Sequence, residues 1–364
     1  MQLDHIALQG FRNIGAASLD LSPKTVALVG KNAQGKTNLV EAVYLLACLK
    51  SFRNRHWRDL VKHGEKQAVI SAQISGDSLP FTLKLVLDVK EGKSIYKNGV
   101  KITRLSDFLG LFRVVLFCPE HLSLIKEGPA KRRSFLDSAI CQLRPYYASL
   151  LNECVKIEAQ RAALLKLSRG KRTDPALFSV WDDRLAGVSV KIASIRADYV
   201  RRLQEAAPAH FSRISDGKES LSLSFISDVY REGAGEEEMK AAYLGLLSEN
   251  LEGDIKYGFT GKGIHRDDLE VKIDSFSARG FASQGQQRSA VLALKLAEGE
   301  ISRDMTGRPP VYLLDDVLSE LDEGRRSYIL SGLAGKQVIL TGTDKDQLDT
   351  AHQLYFVEGG CFSS

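Results

Sequence analysis

The chain has 364 residues, of which 44% are hydrophobic and 26% charged. This balance is typical of a globular protein and excludes a disordered, fibrous or collagen-like chain. At roughly 100–200 residues per domain, the length fits one large elaborated domain or two domains.

Charge is distributed unevenly along the chain, although the net value is only +5. Residues 1–120 hold 17 basic and 10 acidic side chains, residues 121–213 hold 17 and 9, and residues 214–364 hold 16 and 26. The basic excess of the first 213 residues favours a polyanionic partner. Solvated charged faces are the alternative explanation.

The cysteines and the N-terminal segment bear on the cellular compartment. The five cysteines are Cys48, Cys118, Cys141, Cys154 and Cys361. They form no Cys-x-x-Cys pair and accompany no histidine cluster, so neither a disulfide framework nor a zinc site is expected. The N-terminal residues lack a signal peptide pattern and no apolar run approaches 18 residues, so we expect a cytoplasmic protein without a membrane span.

Strands dominate the first 120 residues. An apolar run at 26–29 predicts a strand buried on both faces, and Leu39, Val43 and Leu46 at helical spacing predict a helix from Thr37. Asn98-Gly99 indicates a hairpin turn. The further predicted strands cover residues 69–74, 81–87, 93–96, 100–102 and 114–117.

Residues 126–212 have a helical pattern with two apolar series at alternating spacings of four and three. The first series is Leu150, Cys154, Ile157, Arg161 and Leu164, and the second is Trp181, Leu185, Val188, Ile192, Ile195 and Tyr199. This spacing predicts a short antiparallel helical hairpin with a seam of about 30 Å. Pro145 is expected to break or start a helix.

Strands and helices alternate again beyond residue 213. We predict strands at 221–225, 311–314 and 338–340, and helices at 238–249 and 284–304. A glycine-rich loop is expected at 253–263.

The most specific motif is G-x-x-x-x-G-K-T between the strand at 26–29 and its helix. It consists of Gly30, Lys31, Asn32, Ala33, Gln34, Gly35, Lys36 and Thr37. Such a loop holds phosphates with backbone N–H groups and the helix N-terminus; its lysine reaches the β- and γ-phosphates, and its threonine binds Mg²⁺. A chance match in a surface turn is the alternative.

Two carboxylates follow the buried strand at 311–314. We predict that Asp315 lies on the Mg²⁺ side of a nucleotide site and that Asp316 polarises the attacking water. Capping of the following turn is the alternative function for this pair.

A third motif opens the helix at 284–304. Ser283 and Gln286 form an S-x-x-Q capping box, which satisfies N–H groups of the helix N-terminus. Ser283 and Gly285 could equally offer a second phosphate site at that N-terminus. The two interpretations are compatible.

The order of these motifs resembles the RecF family of bacterial DNA repair proteins, which are ATP-binding-cassette ATPases of the SMC-like type. The resemblance covers essentially the whole chain. It rests on Phe11-Arg12-Asn13, on Gly30 to Ala42, on Phe117-Cys118-Pro119-Glu120, on Arg132 to Asp137, on His265-Arg266-Asp267-Asp268, on Ser283 to Arg288, on Leu314-Asp315-Asp316 with Ser319-Glu320-Leu321-Asp322, and on Thr341-Gly342-Thr343.

The resemblance implies an α/β fold, an ABC-type P-loop ATPase head with an inserted helical lobe. On this basis we assign residues 1–125 and 213–364 to the head and residues 126–212 to the lobe with its short hairpin. One departure from the family pattern is Ile264, where proline is expected. A structural turn is favoured over a metal site for His265 to Asp268.

The resemblance also implies a composite site between two heads. Two subunits would sandwich two ATP molecules head to tail, with Ser283, Gly285 and Gln286 of one chain completing the P-loop site of the other and Asp322 crossing the interface. Arg12 and Asn38 would lie at the nucleotide. A threonine at 341 or 343, where transport ATPases often place histidine, fits slow hydrolysis.

The function implied is that of a cytoplasmic ATPase with weak, DNA-stimulated activity that requires ATP and Mg²⁺. It would dimerise on ATP, bind duplex DNA near single-strand gaps, and help to place RecA recombinase with a RecR-type partner. The candidate DNA contacts are the basic clusters Lys50, Arg53, Arg55, Arg58 and Lys62; Lys131, Arg132 and Arg133; and Arg169, Lys171 and Arg172.

Three other functions share the P-loop. A small-molecule kinase leaves the segment 283–287 and the basic helical insertion unexplained. Another SMC-like structural ATPase would carry longer arms, and a transporter ATPase subunit would associate with a membrane.

Overall fold

The computed structural model describes residues 1–53, 56–76, 79–171, 174–343 and 351–364. Its strands are β1 (Gln2–Phe11), β2 (Ile14–Asp20), β3 (Thr25–Val29), β4 (Gln67–Ser75), β5 (Phe81–Asp88), β6 (Gly92–Lys97), β7 (Val100–Ile102), β8 (Val114–Phe117), β9 (Leu221–Ile226), β10 (Asp268–Ile273), β11 (Phe276–Ser277), β12 (Val311–Leu314), β13 (Val338–Gly342), β14 (Gln353–Glu358) and β15 (Cys361–Ser363). Its α-helices are α1 (Lys36–Cys48), α2 (Leu105–Phe108), α3 (Ser123–Lys126), α4 (Pro129–Leu143), α5 (Tyr146–Leu167), α6 (Ser179–Ile214), α7 (Glu236–Glu249), α8 (Leu251–Tyr257), α9 (Ala278–Phe281), α10 (Gln284–Thr306) and α11 (Glu323–Gly332).

A mostly parallel sheet forms the centre of the head, in the order β15-β14-β3-β13-β12-β8. Only β15 is antiparallel to its neighbour. Side chains of each strand alternate between two cores: Val26 and Leu28 pack on one face of the sheet, and Ala27 and Val29 on the other. Burial on both faces explains the continuous apolar runs in the sequence, because neither face of such a strand contacts water.

A second six-stranded sheet is antiparallel, in the order β2-β1-β4-β5-β6-β7. The hairpin from β6 to β7 turns at Asn98 and Gly99, whose φ values of 49° and 80° are those that a two-residue type I′ turn requires. Helix α1 contacts both large sheets, and most of its residues are buried. The helix that follows the P-loop is therefore fixed from two sides.

The predicted helical hairpin is formed by α5 and α6, which pack together. Helix α5 starts directly after Pro145, as expected. Helix α6 has 36 residues, about 54 Å at 1.5 Å per residue, and so exceeds the predicted seam. Its length has a packing reason, since α6 also contacts α10 and the small sheet β11-β10-β9. The domain boundaries at 126 and 212 stay a prediction.

The prediction of a loop at 253–263 is wrong for residues 253–257, because they belong to helix α8, which runs from Leu251 to Tyr257. Leu251 and Ile255 pack against Leu165 and Phe178, and this burial outweighs the low helix propensity of the glycine at 253. The five cysteines are free thiols in the structure. Among the described residues no helix is both long and apolar enough to cross a membrane.

Candidate nucleotide site

The P-loop connects the end of β3 to the first residue of α1. Its backbone bends through positive φ at Ala33 (66°) and at Gly35 (124°). A Cβ atom at Gly30 would lie 2.3 Å from the Val357 carbonyl oxygen, so only glycine fits where the loop leaves the sheet. Lys31, Asn32 and Ala33 are exposed at the mouth of the loop, where an incoming phosphate would meet them.

Lys36 folds back over the loop. Its ammonium group donates to the carbonyl oxygens of Gly30, at 2.5 Å, and Lys31, at 3.0 Å, and the residue is only 3% exposed. A bound phosphate would therefore compete with these two carbonyl oxygens for the Lys36 ammonium group.

Two distant segments tether the P-loop through Gln34. The Gln34 carbonyl accepts from the Asn13 side chain at 3.1 Å and from the Gly360 N–H at 2.8 Å, while its side-chain oxygen accepts from the Gly359 N–H at 2.7 Å. Asn38 donates to the Asn13 side chain at 2.7 Å. The contact of the Gly359-Gly360 turn with the P-loop was not predicted. Consecutive glycines indicate a turn, but the sequence does not indicate which segment packs against that turn.

Asp315 and Asp316 lie at the C-terminal end of β12. This strand is not adjacent to β3, because β13 lies between them. Thr341 of β13 bridges the gap: its hydroxyl lies 3.0 Å from Asp315 Oδ1 and 3.2 Å from Asp316 Oδ1, and accepts from the Asp316 N–H. Thr37 donates to Asp315 Oδ1 at 3.0 Å. The carboxylate thus reaches the P-loop helix across an intervening strand.

Both carboxylates are in unusual environments. Burial raises the pKa of Asp315 to about 6, and the adjacent charge of Asp316 adds to this effect. Glu120, which follows β8, contributes in the same direction. Asp316 has a φ of 52°, a left-handed conformation that Asp tolerates better than most residues. Such strain at a candidate reactive carboxylate is typical of a functional position.

The Thr37 hydroxyl and the Asp315 carboxylate are oxygen ligands that suit Mg²⁺. Their close approach to each other and to the P-loop fits a cation that takes one or two protein groups and completes its shell with phosphates and water. No group of three or more His, Cys, Asp or Glu side chains suited to a metal occurs in the described part of the chain. An all-protein metal cage is therefore not a feature of these residues.

Arg12 lies near the P-loop but its guanidinium is engaged by Glu41. The pair is bidentate, with both distances 2.9 Å, and the Glu41 side chain is fully buried. Ser51 donates a further hydrogen bond to Glu41. Arg12 also donates to the Asp59 carbonyl at 3.1 Å. Arg12, Asn13 and Asn38 line an open depression of about 590 Å³ beside the loop.

The residues at 283–286 and Asp322 form a separate surface. Ser283 caps α10 and Gln286 closes the predicted capping box, while the Gln286 amide also donates to Glu219 at 2.7 Å. Asp322 caps α11 and pairs with Arg325 at 2.8 Å, and the hydrogen bond from the Arg325 N–H lowers the pKa of Asp322. A Cβ atom on Gly285 would lie 3.6 Å from the Arg325 guanidinium. Within the described residues, these groups bond to one another and to Glu219 rather than to the P-loop.

The basic clusters differ in how exposed their side chains are and in whether those side chains already pair within the chain. Arg132 is buried in a bidentate pair with Asp268, at 2.7 and 2.8 Å, and Arg133 donates to the Asp267 carbonyl. Arg132 and Arg133 are thus already engaged by groups of the same chain. Arg53, Arg58 and Lys62 instead line the open depression beside the P-loop. Arg55 and Arg172 lie outside the described residues.

The segment 265–268 is a structural turn whose ion pairs reach other elements, not each other. The fully buried Asp267 pairs with Arg196 of α6 at 2.8 Å, and His265 lies 3.3 Å from Glu158 of α5. The Ile264 carbonyl accepts from Arg196 at 2.8 Å. These contacts connect helices α5 and α6 of the hairpin to the segment that precedes β10.

Sequence comparisons agree with this geometry. A family model described as the RecF/RecN/SMC N terminal domain matches residues 2–360. The DNA replication and repair protein RecF of Lactobacillus acidophilus is 35% identical over 372 residues, which cover 100% of this chain and 99% of the relative. The protein of the same name from an Exiguobacterium species is 40% identical over 361 residues, which cover 97% and 95%.

Solved structures of RecF and of an Smc head are also similar to this chain. A structure of the recombination mediator protein RecF with ATP superimposes with a TM-score of 0.94 at 33% identity, covering 100% of this chain and 97% of that one. An Smc head bound to the C-winged helix domain of ScpA matches with a TM-score of 0.56 at 16% identity, covering 100% and 96%, and shows the shared fold. The chain has the ABC-type ATPase head fold and belongs to the RecF family of DNA replication and repair proteins.

Proposed function

We propose that the protein binds ATP at the P-loop and hydrolyses it slowly, as a switch rather than as metabolic catalysis. The observation that carries this proposal is the hydrogen-bonded set of Thr37, Asp315, Thr341 and Asp316 beside the loop. The ATP-bound RecF structure, similar over the whole chain, supports the choice of nucleotide.

In this proposal each group has one task. The P-loop N–H groups and Lys36 bind the phosphates, Thr37 and Asp315 would hold Mg²⁺, and Asp316 orients the attacking water and accepts its proton. Bound Mg²⁺ would neutralise charge on the phosphate oxygens. Thr341 contacts both carboxylates and so restrains Asp316, which fits slow turnover.

We further propose that two chains close on ATP head to tail. The signature surface of Ser283, Gly285, Gln286 and Asp322 would complete the P-loop site of a second copy. The support is that this surface contains a helix N-terminus with an exposed serine, and that the hydrogen bonds of Ser283 and Gln286 in the described residues go to each other and to Glu219. Hydrolysis would then open the dimer.

The polyanion suggested by the charge pattern is DNA in this proposal. The dimer would bind duplex DNA near single-strand gaps in the cytoplasm, where DNA would stimulate hydrolysis, and a RecR-type partner would help it to load RecA. The name of the relatives, DNA replication and repair protein, supports this class of partner. The cluster of Arg53, Arg58 and Lys62 is the stronger candidate for phosphate contacts, because these side chains line an open surface.

The test measures mass by light scattering and duplex binding by anisotropy, with and without ATP, at two salt concentrations. We expect ATP to double the mass, and duplex affinity to fall steeply with salt. Lys36→Arg should weaken the ATP-dependent increase in mass and the ATP-dependent duplex binding, whereas Lys24→Ala, at an exposed lysine before β3 and outside the P-loop, should retain both. A chain that stays monomeric with ATP, together with unchanged DNA binding by Lys36→Arg, would refute the proposal.

A further inference from the structure

Two aromatic rings stand exposed and in mutual contact at the tip of the helical hairpin. Tyr257, the last residue of α8, is 60% exposed and Phe259 is 50% exposed, with ring centroids 6.0 Å apart and planes at 38°. Single exposed apolar residues are ordinary, and an exposed ring pair indicates a binding surface only together with the groups that surround it.

The backbone under these rings is well anchored. Gly258 is the C-cap residue of helix α8, and its φ of 75° reverses the chain between the two aromatic residues. Behind it, Asp254 is 2% exposed and pairs with the fully buried Arg161 at 2.6 Å. The rings therefore belong to a fixed surface with its own supporting contacts.

Basic side chains surround the rings. A Cβ atom on Gly258 would lie 2.7 Å from the Arg169 guanidinium and 3.0 Å from Lys166 Cγ, so both side chains pack beside the reversal. Arg169 donates to the carbonyls of Ile255 and Tyr257. The Lys256 ammonium lies 5.6 Å from the centre of the Tyr257 ring. Lys171 is exposed at the same tip.

We propose that this surface, the tip platform of Tyr257, Phe259, Lys166, Arg169 and Lys256, binds single-stranded DNA. Bases would stack on the two rings while the cations contact the phosphates, the combination by which proteins hold single strands without reading their sequence. The choice of DNA rests on the proposed function.

Two other occupants fit less well. The bases of an intact duplex stack on each other and cannot stack on side chains, so a duplex would leave both rings in water. Protein interfaces are depleted in lysine, whereas lysines flank this platform. Within α8 itself, Asp254 is already paired with Arg161, and Glu252 is the exposed carboxylate.

The platform gives the protein a means of recognising a gap. A chain that holds duplex DNA on one surface and a single strand at its hairpin tip would bind a junction of the two more tightly than either alone, because the second contact becomes intramolecular.

The chain offers a matched control for the experiment. Phe276 and Phe281 form a second exposed ring pair, 65% and 78% exposed, with centroids 5.9 Å apart. We would compare Tyr257→Ala/Phe259→Ala with Phe276→Ala/Phe281→Ala, because both pairs lose two exposed rings. The probe is a fluorescein-labelled 20-nucleotide oligo(dT), followed by anisotropy without nucleotide, since the platform lies within one chain.

We expect the tip variant to lose at least tenfold in oligo(dT) affinity, the control pair to stay within twofold, and both to keep wild-type duplex binding. Lys166→Gln/Lys256→Gln should reduce the salt slope of oligo(dT) binding by about 1.4. Equal losses in the two ring variants, no loss in either, or equal loss of duplex binding would overturn the platform. Failure of the wild-type chain to bind duplex even with ATP would count instead against the proposed function.

Discussion

The Thr37 hydroxyl donates to Asp315 Oδ1 across 3.0 Å, although 278 residues separate the two positions. This bond joins the first turn of α1 to the end of β12, and Thr341 of the intervening strand β13 reaches the same carboxylate oxygen. Asp315 is thus a buried acceptor shared by two threonines. Its charge is costly here, because within the described residues its hydrogen-bond partners are hydroxyl groups and no lysine or arginine forms an ion pair with it.

The first prediction concerns the stability of the nucleotide-free protein. Asp315→Asn should raise the free energy of unfolding by about 1–3 kcal/mol at pH 7.5 with EDTA present, because it removes a buried charge whose pKa has risen to about 6. Urea unfolding of both proteins measures the difference.

The sign follows from the direction of the shift. A carboxyl whose pKa is raised in the folded state binds more protons there than in the unfolded chain, so its charge destabilises the fold fully above pH 6. The advantage of Asp315→Asn should therefore shrink as pH falls from about 6 towards 4. A constant difference from pH 4.5 to 7.5 would contradict the raised pKa.

The second prediction separates binding from hydrolysis. Asp316→Asn preserves the side-chain shape and tolerates the φ of 52°, but the amide cannot accept a proton from water. We expect ATP hydrolysis to fall at least 100-fold with ATP affinity changed less than threefold, measured by phosphate release and equilibrium binding. Unchanged turnover would assign the role of base to another group, for which Glu120 is the candidate because its charge also acts on Asp315.

Much of this site could be predicted from the sequence because its parts are local. The P-loop needs one strand, one turn and one helix, and the capping box at Ser283 and Gln286 spans four residues; both are present as expected. Apolar runs such as 26–29 and 311–314 also identified their strands, since burial on both faces leaves a pattern in sequence.

The remainder depends on contacts between distant segments. Nothing in the sequence indicates that β13 separates β3 from β12, or that Gly359 and Gly360 hold Gln34. Arg161 occupied an apolar seam position, and the acids that neutralise it lie 21 and 93 residues away. Strand order and buried ion pairs are set by tertiary packing, which spacing does not encode.

The third prediction tests that buried arginine. Arg161 has no exposed side-chain surface and pairs with Asp182 and Asp254, each at 2.6 Å. Arg161→Ala should lower the free energy of unfolding by about 3–5 kcal/mol, because it leaves the buried Asp254 carboxylate and the partly buried Asp182 carboxylate without this cation. The control is Arg184→Ala, whose side chain is 52% exposed and 3.8 Å from Glu153, and which should cost less than about 1 kcal/mol. Similar losses for both would mean that the buried pair adds nothing.

The fourth prediction concerns a glycine inside α10, where helix propensity and packing oppose each other. Alanine normally stabilises a helix interior by about 1 kcal/mol relative to glycine. At Gly299, however, a Cβ atom would lie 2.3 Å from the Tyr312 hydroxyl and 2.8 Å from its ring, and Tyr312 is 1% exposed. Overpacking of this kind costs about 1–3 kcal/mol.

We therefore expect Gly299→Ala to lower the melting temperature although it improves helix propensity. Gly245→Ala in α7, where a Cβ atom would meet nothing within 4 Å, should raise it, because only the propensity gain applies there. Thermal unfolding followed by circular dichroism compares the two. If both variants gain stability, Tyr312 has room to move, and the close packing of α10 on β12 is not what requires glycine at this position.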